Sequence, residues 1–246
     1  MKNSISIIIP AYNEEKNIIS TVKNAEKALK TLAYDYEILI FDDCSTDKTG
    51  LIADQLARKD NKIKVTHNPK NRGLGYNYIR GVELASKDFL MMIPGDDDIP
   101  FQNIIEIIKC MGKADIIAPY FTNPFDVRSF HRVVISKAFV KLMNIFMGLD
   151  LKYYTGPVIH KSKLVKNIKI DTLSFAYQAD ILSKLLKSGH SFMEIGIKQT
   201  GKGTGSSHFY TLNNVLGILK TIVSLVWNIR VKNNKQYNKK PVRVSK

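Results

Sequence analysis

Three consecutive carboxylates stand at the end of an apolar run in the first half of the chain. Asp96, Asp97 and Asp98 follow the segment Phe89–Ile93 and a Pro-Gly turn. Carboxylates held so close together repel one another unless a cation is present. Alternate carboxylates beside a strand end suit a hard divalent cation, which shares its shell with phosphate oxygens. The triplet therefore predicts a site for Mg²⁺ or Mn²⁺, with Asp96 and Asp98 as ligands.

Two further polar clusters indicate a nucleotide site. Asp42 and Asp43 end another apolar run, and an acid there commonly accepts hydrogen bonds from a ribose or a base edge. Asn71–Gly75 (Asn-Arg-Gly-Leu-Gly) opens a predicted helix. Its glycines, Gly73 and Gly75, allow the backbone to approach a phosphate at the helix N-terminus. A tight turn without any ligand explains the same two glycines equally well.

Alternating apolar runs and helical patterns supply the scaffold for these clusters. Strands are predicted at 5–9, 36–41, 63–66, 89–93 and 115–118, and helices at 14–32, 49–58, 73–84 and 101–109. Ile-rich strands separated by helices are typical of an α/β fold, with a mainly parallel sheet covered by helices on both faces. Ligands bind such sheets at the carboxyl ends of the strands, where the clusters Ala11–Glu14, Asp42–Asp43 and Asp96–Asp98 each follow a predicted strand. Ordinary hydrophilic loops are the competing explanation.

Charge is distributed unevenly between the two halves of the chain. The 246 residues include 37 Lys and Arg against 22 Asp and Glu, a net charge of +15. Residues 127–246 hold 21 of the basic side chains but only 4 of the acidic ones. This asymmetry favours an anionic substrate or surface bound by the second half. A nucleic-acid-binding module is disfavoured, because no recognition motif is present and the acidic strand ends repel phosphate without a metal.

Cysteine usage and hydropathy favour a cytoplasmic chain. Cys44 and Cys110 have no metal-binding or redox spacing, and a chain of this length can bury a core without disulfides. The apolar run at residues 5–9 is too short for a signal peptide, and no stretch reaches the ~20 apolar residues of a spanning helix.

Taken together, the motifs resemble those of family 2 glycosyltransferases, which have a GT-A fold. The resemblance is carried by Ser6–Glu15 (Ser-Ile-Ile-Ile-Pro-Ala-Tyr-Asn-Glu-Glu), Phe41–Asp47 (Phe-Asp-Asp-Cys-Ser-Thr-Asp), Asn71–Gly75 and Gly95–Pro100 (Gly-Asp-Asp-Asp-Ile-Pro). The family usually has Val-Asp-Asp-Gly-Ser at the second motif, so Phe41 and Cys44 depart from its pattern. The resemblance implies a metal-dependent hexosyltransferase that uses a UDP- or GDP-sugar.

The resemblance also implies roles for individual residues in donor binding. The nucleoside pocket is expected to be lined by Pro10, Ala11, Tyr12 and Glu14. Asp43, with Asp42 beside it, is expected to hold the base or the ribose. Asp96 and Asp98 would form the DxD motif that binds the metal and the donor diphosphate. Asp97 is the alternative, because a run of three acids leaves the register open by one residue.

The second half resembles the acceptor region of polyprenyl-phosphate glycosyltransferases of the dolichol-phosphate mannosyltransferase type. The matching residues are Arg128–Arg132 (Arg-Ser-Phe-His-Arg), Ser136, Asn144 and Asp150–Gly156 (Asp-Leu-Lys-Tyr-Tyr-Thr-Gly). Arg128 and Arg132 are four residues apart and are expected on one helix face, where they can clamp a phosphate. A solvated basic face is the alternative. The resemblance adds Ser136, Thr155 and Gly156 to the acceptor site.

Two later residues bear on the choice of acceptor and donor. Asp180 lies in a segment, residues 175–182, that resembles the part of the family where an acid is usual. If the acceptor is a sugar hydroxyl of a lipid-linked or cell-envelope glycan, Asp180 is the candidate base. Lys202 begins Lys-Gly-Thr-Gly-Ser-Ser, where the family has Arg-x-x-Gly-x-Ser. A lysine there can bind a diphosphate, but it lacks the two parallel hydrogen bonds that an arginine guanidinium donates.

Two amphipathic segments, residues 133–147 and 212–229, predict attachment to a membrane surface. The second is followed by a basic tail suited to anionic lipid. Core helices are the alternative for both segments, and a solvated end is the alternative for the tail. We therefore expect a catalytic domain at 1–210, with a donor half (1–118) and an acceptor half (119–210). Residues 211–246 are expected to hold the enzyme at the inner face of the cell membrane.

Overall fold

The structure is a computed structural model that describes residues 3–173, 176–198 and 222–245. Within these ranges the strands are β1 (Ser4–Ala11), β2 (Asp35–Asp42), β3 (Ile63–His67), β4 (Phe89–Met92), β5 (Ile116–Phe121), β6 (Ile159–Lys161), β7 (Ser191–Ile197) and β8 (Val242–Arg243). The helices are α1 (Ile18–Thr31), α2 (Thr49–Lys59), α3 (Leu74–Leu84), α4 (Phe101–Ile108), α5 (Pro124–Val127), α6 (Phe130–Met147), α7 (Ser162–Lys166) and α8 (Tyr177–Lys187). Residues 222–226 are also α-helical, and Trp227–Lys232 continues them as a π-helical turn.

The strands form one sheet in the order β3-β2-β1-β4-β6-β5-β7-β8. Neighbouring strands are parallel except at β6, which runs antiparallel to both β4 and β5. The prediction of a mainly parallel sheet is confirmed. Because β5 is antiparallel to β6, it runs in the same direction as β1, β2 and β4. The carboxyl ends of all these strands therefore meet at one edge of the sheet.

Helices cover both faces of this sheet, as the Ile-rich strands predict. Successive side chains of a strand point to opposite faces. In β1, Ile7 joins the cluster formed with α1 and α4, whereas the adjacent Ile8 joins the cluster formed with α3 and α8. Both side chains are completely buried. A strand buried on both sides explains why its sequence is a continuous apolar run rather than an alternating one.

The predicted boundaries hold except at two places that matter for the site. α1 begins at Ile18 rather than Glu14, and the backbone N–H groups of Glu14 and Glu15 donate to Thr49 Oγ1 and Asp47 Oδ2, which ties this segment to the start of α2. β5 extends to Phe121, three residues beyond its predicted end. The longer strand carries its last aromatic residues to the edge of the sheet where the polar clusters lie.

The described part of the C-terminal region packs on the sheet. Ile222, Leu225 and Ile229 are buried in the core, so the core-helix alternative applies to them, whereas Trp227 remains 60% exposed. β8 pairs with β7, and the N–H of Val244 donates to Phe192 O at 2.8 Å. The basic tail therefore ends as a strand of the sheet rather than as a solvated end. The boundary at 210/211 and the predicted helix at 212–221 lie outside the described residues. In the described ranges no helix has both the length and the hydropathy needed to cross a membrane.

Candidate active site

A cavity of about 320 Å³ opens at the carboxyl ends of β1, β2 and β4. It lies where the order of the strands reverses, which is where a parallel sheet leaves a crevice for ligands. Its lining residues are Pro10, Ala11, Tyr12, Glu14, Asp43, Asn71, Gly73, Leu74, Asn77, Pro94, Gly95 and Asp96. We call it the donor cavity. It brings together most residues of the predicted donor site.

The loop after β4 holds Asp96 against the wall of the donor cavity. The N–H of Gly95 donates to Pro10 O at 3.0 Å, which ties this loop to the end of β1. A Cβ on Gly95 would meet the Cβ of Ala11 at 3.0 Å, so a larger residue would push the loop away. Burial raises the pKa of Asp96, and the charges of Asp98 and Asp97 raise it further.

Asp97 turns away from the donor cavity and is not among its lining residues, and the assignment of the metal to Asp96 and Asp98 stays a prediction. Its backbone is left-handed, with φ at 56°, and its carboxylate accepts hydrogen bonds from Ser20 Oγ (2.7 Å) and Asn24 Nδ2 (2.9 Å) on α1. The hydroxyl of Thr21 donates to Gly95 O and accepts from the N–H of Asp97. Asp97 therefore anchors the acidic loop to α1 and does not face the donor cavity.

The charges of the donor cavity fit a divalent cation. Glu14, Asp43 and Asp96 face it, and no Lys or Arg is among the described residues that line it. Burial raises the pKa of Glu14, and the charge of Asp96 adds to this effect. Asp98 does not line the cavity, but its N–H lies 3.2 Å from Asp96 Oδ1 in the same loop. Across the described ranges no cluster of three or more His, Cys, Asp or Glu could hold a metal. The two carboxylates of Asp96 and Asp98 still fit Mg²⁺, because this ion usually takes its remaining ligands from phosphates and water.

Asp43 organises the opposite wall. Its carboxylate accepts hydrogen bonds from Asn68 Nδ2 (2.8 Å) and from the N–H groups of Arg72 (2.8 Å) and Gly73 (2.7 Å). Gly73 is the N-cap of α3, so this carboxylate already occupies part of the helix N-terminus that was expected to receive a phosphate. Negative charge is stabilised there by the helix dipole. Asp43 thus shapes the loop and still presents its outer edge to the cavity.

Two predicted donor residues have other roles in the structure. A Cβ on Gly75 would lie 2.3 Å from Leu173 O, so this glycine permits the close packing of two backbones and does not line the cavity. Asp42 is buried and faces the other side, where its carboxylate contacts His67 Nδ1 at 2.9 Å. This contact raises the pKa of His67, and a second contact with Asp54 adds to the effect.

A second cavity, of about 80 Å³, lies beside the carboxyl end of β5. It is lined by the polar residues Tyr120, Arg128, Ser136, Lys137, Lys152 and Tyr153, together with Phe121, Pro124, Val133 and Val140. We call it the basic cavity, because no acidic residue is among these lining residues. Arg128 lies over the ring of Phe121, 4.9 Å from its centroid, and donates to Tyr153 OH at 3.1 Å.

The other predicted acceptor residues do not line the basic cavity. Arg128 is extended and precedes Ser129, the N-cap of α6, whereas Arg132 lies in the first turn of that helix. The expectation that the two arginines share a helix face is therefore wrong. Thr155 and Gly156 are also absent from the lining residues, and a Cβ on Gly156 would lie 3.7 Å from the ring of Tyr153.

Asp180 is a buried structural group in this fold. Its side chain is fully buried on α8 and lies 2.7 Å from Lys184 Nζ. The same ammonium lies 2.7 Å from Asp171, and the N–H of Asp171 donates to Asp180 Oδ2. Burial raises the pKa of Asp180 despite the hydrogen bond of Lys184. Asp180 lines neither cavity, which does not suit a catalytic base. Lys202 lies outside the described residues.

A sequence model described as "Glycosyl transferase family 2" matches residues 6–162, which include both walls of the donor cavity. The chain belongs to glycosyl transferase family 2. Similar family members include a dolichol-phosphate mannosyltransferase from Pyrococcus furiosus (27% identity, covering 88% of this chain and 64% of that protein). A polyprenol monophosphomannose synthase from Mycolicibacterium smegmatis is 25% identical over 82% of this chain and 79% of its own. The chain spans 64% of the length of the Pyrococcus protein and 38% of the length of glycosyltransferase AglD from Haloferax volcanii.

Solved structures establish the same fold for this family 2 chain. A glucosyl-3-phosphoglycerate synthase from Mycobacterium tuberculosis, crystallised with Mg²⁺ and uridine diphosphate, superposes with a TM-score of 0.64 at 13% identity. The match covers 92% of this chain and 79% of that one. S. aureus TarS 1-349 gives a TM-score of 0.60 at 19% identity, covering 96% and 68%. The prediction of a GT-A fold is confirmed.

Sequence reasoning missed the polar residues that hold the family 2 site together. Asn77 lines the donor cavity and accepts from Asn68 Nδ2 at 2.6 Å, which links α3 to Asp43. Asn13 has a left-handed φ of 56°, and its side chain accepts from the N–H of Thr46 at 2.8 Å. The position of Asn77, one helical turn after Gly73, was a usable signal. Asn13 stands in the motif after β1, but its bond to Thr46 could not be predicted because the two residues are 33 positions apart.

Proposed function

We propose that the chain is an inverting glycosyltransferase that moves a sugar from a nucleotide-diphosphate sugar to polyprenyl phosphate. The observation that carries this proposal is the placement of an acidic and a basic cavity along one sheet edge. The donor cavity lies at β1 and β4, and the basic cavity lies at β5, two strand positions farther along. At the usual strand spacing this separation is about 10 Å. The names of the Pyrococcus and Mycolicibacterium relatives agree with such a reaction.

The donor cavity is suited to a UDP- or GDP-sugar through complementary groups. Tyr12, 48% exposed at the cavity, offers its ring to a base, and Asp43 offers a carboxylate edge to base or ribose. Asp96 and Asp98 would hold Mg²⁺ or Mn²⁺ beside the diphosphate. The cation would neutralise the charge that develops on the departing nucleoside diphosphate. Lys202 remains a candidate for the same diphosphate.

The basic cavity is suited to an acceptor that is already a nucleophile. A phosphate monoester is anionic at neutral pH, so it needs positioning and charge relief rather than a general base. One of its oxygens attacks the anomeric carbon while the bond from that carbon to the diphosphate oxygen breaks, which inverts the configuration. Arg128 would orient this phosphate, with Ser136 beside it in the cavity. Arg132, Thr155 and Gly156 are proposed to complete the site around it.

A donor screen with the purified chain tests this function. Radiolabelled UDP- and GDP-sugars are offered with Mn²⁺, in the presence and absence of polyprenyl phosphate. We expect transfer that requires the lipid phosphate and stops in excess chelator. Arg128→Ala and Arg132→Ala are expected to lose most of this activity. Normal activity of both variants, together with transfer to a glycan hydroxyl, would replace the proposal with the sugar-acceptor alternative.

We also propose that α6 attaches the enzyme peripherally to anionic lipid at the inner face of the cell membrane. Its exposed apolar residues are Phe130, Val134, Ile135, Leu142, Ile145 and Phe146, and its buried residues are Val133, Met143 and Met147. The sequence has no acidic residue from 127 to 149 but has Arg128, Arg132, Lys137 and Lys141 there. A helix that exposes apolar and basic side chains together favours the surface of an anionic bilayer.

Liposome sedimentation tests the role of α6. Substituting Phe130, Ile145 and Phe146 together by Ser is expected to abolish binding to vesicles that contain anionic lipid. Leu51→Ser, which changes an exposed leucine on α2, is the matched control and is expected to bind normally. Truncation before residue 212 is a poor alternative, because it also removes β8 from the sheet. Equal sedimentation of the triple variant and the wild type would contradict the assignment.

A further inference from the structure

Lys152 is a cation of the basic cavity that the sequence analysis did not single out. Its ammonium donates to Tyr120 OH at 3.1 Å and lies 4.3 Å from the centroid of the same ring. Lys152 therefore faces the cavity from the side of the loop that precedes β6, whereas Arg128 faces it from the connection between α5 and α6. Two cations on different segments thus converge on one small cavity.

The position of Lys152 is fixed by a carboxylate beneath it. Glu194 on β7 has a side chain only 5% exposed, and its Oε1 accepts a hydrogen bond of 2.6 Å from the backbone N–H of Lys152. Its second oxygen, Oε2, accepts from Arg243 at 2.5 Å. A carboxylate held by charged and backbone donors at the same time is a rigid support. Glu194 therefore joins the loop of Lys152 to the C-terminal strand.

Arg243 completes this arrangement from the end of the chain. It lies on β8, its guanidinium stacks over the ring of Phe192 at 4.8 Å, and it also donates to the backbone oxygen of Asp150. The C-terminal strand thus contacts the loop of residues 150–152 directly and through Glu194. Glu194 and Arg243 lie outside the segment matched by the family model, which ends at residue 162, whereas the loop of residues 150–152 lies inside it.

We propose that Lys152 is a further anion-binding residue of the basic cavity and that the Glu194–Arg243 pair is the device that positions it. The proposal rests on the proposed function, in which the acceptor carries a phosphate. A phosphate monoester carries close to two negative charges at neutral pH. Arg128 supplies a planar guanidinium and Lys152 a compact ammonium. Together they match the negative charge of the phosphate from two directions. A neutral sugar hydroxyl would gain little from a second cation.

Binding of a soluble probe tests the role of Lys152 without donor or metal. The probe is a ten-carbon prenyl phosphate, and the prenol of the same length is its uncharged control, both measured by calorimetry with the full chain. We expect the wild type to prefer the phosphate and Lys152→Ala to weaken its binding about tenfold, as the loss of one charged hydrogen bond implies. Lys163→Ala, which removes an exposed lysine on α7, is expected to bind like the wild type.

Steady-state kinetics test the positioning pair. Arg243→Ala is expected to raise the KM for polyprenyl phosphate several-fold while kcat and donor affinity stay close to wild type. Arg243→Lys, which keeps a charge opposite Glu194, should recover much of the loss. Lys240→Ala, which removes an exposed lysine of the same segment, is the matched control. Thermal unfolding of each variant separates a shifted loop from a protein that no longer folds.

The outcomes distinguish this inference from the proposed function. If the wild type binds the prenyl phosphate and Lys152→Ala binds it equally well, the inference is wrong and the proposed function stands. If the wild type binds the phosphate no better than the prenol, the lipid-phosphate acceptor itself is wrong, and the role of Lys152 falls with it. A loss of kcat in Arg243→Ala that Arg243→Lys does not rescue would overturn the positioning role alone.

Discussion

The two cavities lie on one sheet edge but are built in different ways. In the donor cavity, hydrogen bonds from the backbone and from a neighbouring side chain fix the acidic groups, as the three bonds to Asp43 illustrate, and two bonds from α1 anchor the adjacent acidic loop through Asp97. In the basic cavity, Arg128 and Lys152 rest on the rings of Phe121 and Tyr120. Directional bonds suit a metal and a nucleotide of defined geometry. Cations on aromatic faces suit an anionic group whose orientation is less restricted.

The largest effect is expected when one carboxylate of the donor cavity is removed. Asp96→Asn is expected to lower turnover about 1,000-fold or more, because it removes the charge that would hold the cation beside the leaving group. Asp97→Asn should cost only a few-fold, since its carboxylate faces α1 and asparagine also tolerates a left-handed backbone. The measurement is single-turnover sugar transfer with Mn²⁺.

Glu83→Gln serves as the control for charge removal on this half of the chain. Glu83 is a surface residue of α3 that pairs with Arg80, so the variant should transfer sugar at the wild-type rate. Equal losses in the Asp96 and Asp97 variants would contradict the orientation of the acidic loop. A fully active Asp96→Asn would remove the metal site from the proposal.

The second prediction concerns Asp180, whose effect should be structural rather than chemical. Asp180→Asn removes one of the two carboxylates that lie 2.7 Å from the buried ammonium of Lys184 and leaves only Asp171, and breaking such a buried pair costs about 3 kcal/mol of folding free energy. Urea denaturation measures this loss. The double variant Asp180→Asn with Lys184→Met should recover part of it, because the buried ammonium that lost one of its two carboxylate partners is gone. A stable Asp180→Asn that has lost all activity would restore Asp180 as a catalytic base.

The same contrast explains which features the sequence could predict. The parallel sheet follows from the apolar runs, and the resemblance to family 2 pointed to Pro10, Glu14, Asp43 and Asp96, which line the donor cavity. The orientation of a side chain does not follow, because it depends on partners far along the chain, such as Asn24 for Asp97. The C-terminal strand was missed for a related reason. Two residues, Val242 and Arg243, are too short a run to reveal strand periodicity, and their pairing depends on the distant β7.

The third prediction contrasts two carboxylates through the pH dependence of stability. Burial raises the pKa of Asp96, so wild-type stability falls as the pH rises through that pKa. Asp96→Asn should therefore unfold at a higher temperature than the wild type at pH 7, and the difference should shrink toward pH 4. Asp115 is the opposite case. Burial alone would raise the pKa of Asp115, but hydrogen bonds from Lys161 and Ser191 hold this pKa at about 2.

The stabilisation from Asp115 is present above its unfolded pKa and is lost as the pH falls toward about 2. Asp115→Asn should therefore melt below the wild type at pH 7 and converge with it in strong acid. Calorimetric melting of both variants across this range measures the two slopes. Slopes of the same sign would mean that the buried carboxylate of Asp96 is compensated in solution by a partner, and the raised pKa of Asp96 would be wrong.

The smallest expected effect concerns Cys44, which stands where the family usually has glycine. Its φ of 65° is left-handed, a conformation that costs a residue with a Cβ about 1 kcal/mol. Glycine adopts it freely, although a glycine also makes the unfolded chain more flexible. Cys44→Gly should therefore raise the free energy of unfolding by up to about 1 kcal/mol. Cys44→Ala removes the thiol but keeps the Cβ, so it should leave the strain in place. If denaturation shows the same gain for both, the thiol rather than the backbone is the source of the cost, and the donor-side loop after β2 is not strained.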